Sequence, residues 1–197
     1  MTKGEDTRHT VLSAALSLAS EVGLAGVTIG KLSQACGMSK SGLFAHFSSK
    51  ENLQVQLLQE AVERFVERVV SPGLKHRRGE PRVRALFDEW LAWSTLDFMP
   101  GGCIFMAAAV ELDDRPGPAR DLLVASQRDW LETLAHAARI AVEEKHFRRD
   151  LDTGLFAHEV YSIASGHHVL SRLLADPKAE KRTRASFERL VADARVR

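Results

Sequence analysis

Thr28-Ile29-Gly30-Lys31-Leu32-Ser33-Gln34-Ala35-Cys36-Gly37-Met38-Ser39-Lys40-Ser41-Gly42-Leu43-Phe44-Ala45-His46-Phe47 is the stretch on which the reading of this chain turns. It spells a helix, a tight turn and a second short helix. Thr28 is placed to cap the first helix, because its side-chain oxygen can accept from an orphan backbone N–H. Ile29, Leu32 and Ala35-Cys36 then recur at i, i+3 and i+6/i+7, which is one apolar helical face. Gly37 follows, where a left-handed residue ends a helix without steric cost. Ser39 is a second cap, and Leu43 and Phe47, four apart, mark the buried side of the next helix. Two helices joined by a short Gly-containing turn form the unit that lays its second helix in a DNA major groove.

Upstream, Val11, Ala15, Leu18 and Val22 make the stripe of a first helix from about Thr7 to Val22, ended by Gly23. Downstream, Ser48 is read as the cap of a longer helix reaching about Val70. Glu51 in its first turn suits the positive helix end, and Lys50 does not unless a phosphate sits there too. Ser71-Pro72-Gly73 is read as a break, and Lys75-His76-Arg77-Arg78 as an exposed basic loop. Pro81 opens a helix to about Phe98, stopped by Met99-Pro100-Gly101-Gly102. Cys103 to Leu112 is a short, apolar, centrally buried helix. Longer helices follow over about Ala119–His146 and Thr153–Ala175, the second capped by Asp152, and Asp176-Pro177 opens the last. Strand signals are nearly absent, so the class is all-α with about nine helices.

Composition narrows the function. The chain has 197 residues, 45% hydrophobic and 27% charged, which is enough for a real core. Net charge is +1, so any grip on nucleic acid must be local. Residues 1–53 carry Lys3, Arg8, Lys31, Lys40 and Lys50 against Glu5, Asp6, Glu21 and Glu51, which is only weakly basic. Cys36 and Cys103 do not form a disulfide framework. The polar N-terminus lacks a signal-peptide core, and no apolar run approaches the ~20 residues needed to cross a bilayer. These features point to a cytoplasmic protein with no membrane partner. No phosphate-binding Gly-rich loop follows a strand, and no nucleophile elbow is present, so no catalytic residues and no cofactor are expected. His158, Glu159, His167 and His168 lack ligand spacing for a metal site. Cys36 reads as an inert apolar residue rather than a redox sensor.

Val27-Thr28-Ile29, Leu32, Ala35-Cys36-Gly37-Met38-Ser39, Gly42-Leu43-Phe44, His46-Phe47 and Ser49-Lys50-Glu51-Asn52-Leu53 together resemble the TetR/AcrR family of bacterial transcriptional regulators. The likeness covers about the first quarter of the chain. It implies a three-helix DNA-binding domain over 1–53 and a larger helical effector-binding and dimerisation domain over 54–197. It also implies a homodimer on a near-palindromic double-stranded operator, released by a small-molecule effector. By position in the family pattern, Ser39, Lys40, Ser41, Gly42, Phe44 and Ala45 face the groove. Thr28, Lys31, His46 and Lys50 stand where phosphates are held, and Leu43 and Phe47 are structural. Two residues depart from the pattern. Gly30 replaces the usual Ala, and Phe44 stands where most members have a Tyr whose hydroxyl meets a phosphate. Phe44 can offer only apolar contact, to a thymine methyl or a sugar.

In the middle of the chain, Trp90, Trp93, Phe105, Met106 and Trp130 are either ordinary core or the lining of a pocket for a flat, apolar or aromatic effector. Glu111 is either its polar contact or a solvated helix end, and His167 is a further candidate. An all-helical small-molecule binding protein whose head no longer reads DNA is the alternative reading. The absent Tyr hydroxyl and the thin N-terminal charge favour that alternative.

Overall fold

A computed structural model describes residues 3–196, with side chains from Thr7 onward. The extreme N-terminus and Arg197 lie outside the described residues, and part of the polar start lies there with them. Among the described residues nine helices form. They are α1 (Lys3–Gly26), α2 (Ile29–Cys36), α3 (Lys40–Phe47), α4 (Lys50–Phe65), α5 (Glu80–Trp93), α6 (Ile104–Leu112), α7 (Pro118–Glu143), α8 (Thr153–His168) and α9 (Ala179–Ala194). The only pairing outside helices among the described residues is an isolated antiparallel bridge between Phe147 and Arg195. No helix among them is long and apolar enough to cross a membrane.

Two helices run on into a wide turn. α4 passes through a π-helical stretch, Val66–Val70, into a further helical turn, Ser71–Lys75. α8 runs on into a π-helical stretch, Val169–Leu173, and ends there. The expected break at Ser71-Pro72-Gly73 is therefore absent. Pro72, which has no N–H to give to the preceding turn, directly follows the π-helical stretch, and the chain stays helical through it. Gly73 serves packing instead: a Cβ there would lie 2.5 Å from Leu86 Cδ2, so the glycine lets α5 come close. The chain turns instead at His76–Gly79. α1 is broken at Gly23 (φ 73°, ψ 168°), where the sequence places its end.

The chain forms two compact units. The first holds residues up to Arg64 together with Thr95–Ala125, and the second holds Phe65–Ser94 together with Ser126 onward. Helix α6 thus belongs to the same unit as α1–α3. In the first unit Leu16, Leu24, Leu32, Leu43, Phe47, Leu53, Leu57 and Ile104 are fully buried. Each contributes on the order of 1.5–3 kcal/mol. The all-round apolarity of α6 does not bury all of it, since Val110 is 78% exposed.

In the second unit the Phe87 and Phe187 rings stack, with centroids 3.8 Å apart, and tie α5 to α9. Glu80, at the start of α5, receives Arg84 (2.7 Å) and Arg195 (2.6 Å). Hydrogen bonding from Arg195, then from Arg84, pulls its carboxyl down to about 2. His146 Nδ1 accepts from the Glu80 N–H at 3.1 Å, and so caps α5 from the end of α7.

Candidate nucleic-acid interface

The reading unit is built as its sequence dictates. Thr28 is extended, and its hydroxyl oxygen accepts from the Lys31 N–H at 3.2 Å, capping α2. Gly37 is left-handed (φ 64°) and ends α2, while Ser33 Oγ donates to the Met38 carbonyl at 2.6 Å and fixes the turn. Ser39 Oγ accepts from the Gly42 N–H at 3.1 Å, capping α3, and lies 3.2 Å from Ser41 Oγ. Leu32, Leu43 and Phe47 are fully buried beneath the two helices. α3 therefore cannot roll without exposing Leu43 and Phe47.

Its outer face is set by that burial. Lys40, Ser41, Phe44, Ala45 and His46 are exposed on α3, with Gly42 half-buried. Thr28, Lys31, Ser39 and Lys50 are exposed around it. Phe44 is the unusual member, a large apolar side chain 58% exposed. An exposed aromatic between Lys40 and His46 offers a van der Waals surface flanked by donors. That suits a groove wall of base methyls, sugars and phosphates.

Two details differ from the sequence reading. The cap of α4 is Ser49 rather than Ser48: Ser49 Oγ accepts from the Asn52 N–H at 3.0 Å. Ser48 instead takes a left-handed conformation (φ 61°) that ends α3, and Asn52 Nδ2 donates to the Phe47 carbonyl at 2.9 Å. The Ser-x-x-Asn spacing from 49 to 52 carried this signal. Lys50 Nζ donates to the Ala25 carbonyl at 2.7 Å, which leaves two of its three N–H bonds for an anion. Cys36 is half-buried and burial raises its thiol pKa, which disfavours the reactive thiolate.

The central aromatic residues divide between the units. Trp90, Trp93 and Trp130 come together in the second unit with two residues not singled out in the sequence, Phe65 and Tyr161. Phe65 meets Trp93 and Trp130 edge-on at 5.2 and 5.0 Å. Trp90 meets Trp130 at 5.3 Å and Tyr161 at 5.5 Å. Tyr161 Oη donates to Gln127 Oε1 at 2.9 Å. Trp130 Nε1 is buried with no acceptor in the protein. His167 is not part of this cluster; its Nδ1 lies 3.1 Å from Thr183 Oγ1 where α8 packs on α9, and burial lowers its pKa. Phe105, Met106 and Glu111 lie on α6 in the first unit, with Phe105 buried. The Glu111 carboxylate is not a solvated helix end, because it accepts two backbone N–H bonds, from Leu24 and Ala25. Among the described residues no group of His, Cys, Asp and Glu side chains is placed to hold a metal ion.

The all-helical fold agrees with that of known proteins the chain matches. The profile "Bacterial regulatory proteins, tetR family" matches residues 11–57, and "Tetracyclin repressor-like, C-terminal domain" matches residues 79–187. The chain belongs to the TetR family. The HTH-type transcriptional repressor AcnR of Corynebacterium diphtheriae is 33% identical over 85 residues, which is 43% of this chain and 45% of that protein. The chain thus spans under half the length of that curated relative. A TetR transcriptional regulator from Chloroflexus aurantiacus is 25% identical, superposes with a TM-score of 0.88, and is covered fully in both chains. AibR, solved with isovaleryl coenzyme A and operator DNA, shares the fold at 19% identity and a TM-score of 0.76, over 95% of this chain and 99% of that one.

Proposed function

We propose that this TetR-family regulator is a homodimeric repressor that reads a near-palindromic operator with α3 and is released by a small apolar or aromatic effector. The exposed α3 face carries this reading. It presents Lys40, Ser41 and Phe44 outward on a helix pinned by fully buried Leu43 and Phe47. Lys40 and Ser41 contact base edges, and Phe44 packs on a thymine methyl or a sugar. Thr28, Lys31, His46 and Lys50, with the capped N-termini of α3 and α4, hold phosphates. The relative named a repressor supports the sign of regulation.

Residues 1–53 read DNA, and residues 54–197 pair the subunits and take the effector. Pairing rests on α8 and its extension. Leu155, Ser162, Gly166, Val169 and Leu173 recur at helical spacing on one exposed face, with Leu173 79% exposed. A Cβ on Gly166 would meet nothing within 4 Å, so this small-residue crossing point is open for a second copy. The effector site is the aromatic cluster of Trp90, Trp93, Trp130, Phe65 and Tyr161. The unpartnered Trp130 N–H favours an effector that carries an acceptor. An effector releases DNA by binding the non-reading state of the dimer better, which is a shift between two populations.

The test is selection of bound duplexes from a randomised pool. The expected result is a two-fold symmetric site. A pool with no symmetric enrichment refutes the reading and favours a binding protein with a silent head.

A further inference from the structure

The link between α1 and α2 is held from both sides by side chains distant in sequence. Glu111, in the last turn of α6, spans two consecutive peptide N–H groups. Its Oε1 accepts from Leu24 at 2.9 Å and its Oε2 from Ala25 at 2.7 Å. The carbonyls of the same two residues are taken by α4: Leu24 O accepts from Gln54 Nε2 at 3.3 Å, and Ala25 O from Lys50 Nζ at 2.7 Å. Glu111 fits this link through Gly23. The left-handed φ of 73° turns the N–H groups toward α6, and a Cβ on residue 23 would lie 2.0 Å from Glu111 Oε1. The loop that leads into α6 is also fastened to α1, because the Gly101 N–H donates to Ser20 Oγ at 2.9 Å. All of these residues lie within the first unit.

Three residues beyond Ala25 stands Thr28, the cap from which α2 and then α3 are launched. The path of residues 23–25 therefore sets where the reading helix begins. A carboxylate accepting two N–H bonds is a strong and directional restraint. Lys50 bonds the carbonyl of the next peptide along, between Ala25 and Gly26, so Glu111 and Lys50 hold one backbone segment between them.

We propose that Glu111 is a positioning residue of the DNA-reading head: its bidentate hold on Leu24 and Ala25 fixes the pose of α2–α3 in which α3 matches the operator. This rests on the reading that α3 binds DNA. Loss of the hold lets the head sample poses that still touch phosphates but miss the bases. Specific binding then falls while non-specific binding stays.

The test compares wild type with Glu111→Gln and Glu111→Asp, using the duplex selected by the wild type and a scrambled duplex of equal length. In Glu111→Gln the amide nitrogen faces an N–H and one bond disappears. In Glu111→Asp the carboxylate falls one methylene short. Both variants should bind the selected duplex about tenfold more weakly, the scrambled duplex within about twofold of wild type, and keep a cooperative melt. The backbone amide signals of Leu24 and Ala25 should shift upfield in both. Wild-type affinity for the selected duplex in both variants overturns the proposal, as does equal loss on the two duplexes together with a lowered melting temperature. If the wild type selects no duplex, the DNA-binding reading fails. The amide signals then decide this one, and unchanged Leu24 and Ala25 signals in Glu111→Gln overturn it.

Discussion

Replacing Phe44 with Ala separates apolar readout from charge. The ring is 58% exposed, so rather more than half of its surface is free to be covered by DNA. Full burial of a Phe side chain yields about 1.5–3 kcal/mol, so covering this fraction yields on the order of 1–1.5 kcal/mol. Operator affinity should fall about five- to fifteenfold in Phe44→Ala. Because no charge is removed, the slope of log affinity against log salt should stay as in wild type. Lys31→Ala is the matched control: taking a phosphate-holding cation away from the DNA should flatten that slope by about one unit. Fluorescence anisotropy on the selected duplex at a series of salt concentrations reads both numbers. Unchanged affinity in Phe44→Ala, or a changed salt slope, would refute the placement of the ring against the DNA. Phe44→Tyr should bind at least as tightly as wild type, since the added hydroxyl lies at an exposed position and costs the fold nothing.

Three further outcomes are expected. Glu80 has its carboxyl depressed to about 2, chiefly by its hydrogen bond to Arg195, so it stabilises the protein above its ordinary range near 4.5. That stability, about 1–2 kcal/mol after screening at half-exposed Arg195, should be lost as pH falls from about 4.5 through 2. Glu80→Gln should melt lower at neutral pH and show a flatter acid limb in a pH series of thermal melts. Gly30 lies inside α2 with only ordinary contacts, 3.8 Å and beyond, awaiting a Cβ. Gly30→Ala should therefore raise stability by up to about 1 kcal/mol in urea unfolding. Leu173→Glu, at a residue 79% exposed on the proposed pairing face, should yield a monomer by sedimentation and lose operator binding.

The helix-turn-helix was legible because its signals are local. A cap at Thr28, a left-handed Gly37, a cap at Ser39 and the Leu43–Phe47 pair each depend on neighbours within four residues, and all form as read. The end of α1 at Gly23 is legible for the same reason. Ser71-Pro72-Gly73 misleads because its glycine answers to Leu86, thirteen residues away, rather than to the local chain. Glu111 is the clearest case. Nothing within ten residues of it hints at an acceptor role, because the N–H groups it holds are 86 and 87 residues earlier in sequence. Phe65 reads as one more apolar position of α4, and only the folded chain brings it against Trp93 and Trp130. The aromatic spacing announces a core; which residues meet across it is decided by long-range packing.

The central claim is that two copies of α3, held by one dimer, read one symmetric site. Binding of the protein to the selected palindrome, to its isolated half-site, and to a version with the half-sites moved apart by about half a helical turn tests it most directly. The account predicts two protomers on the palindrome, with affinity lowered by about a hundredfold or more on both altered duplexes. Equal affinity for the half-site and the palindrome, with one protomer bound to each, would contradict it.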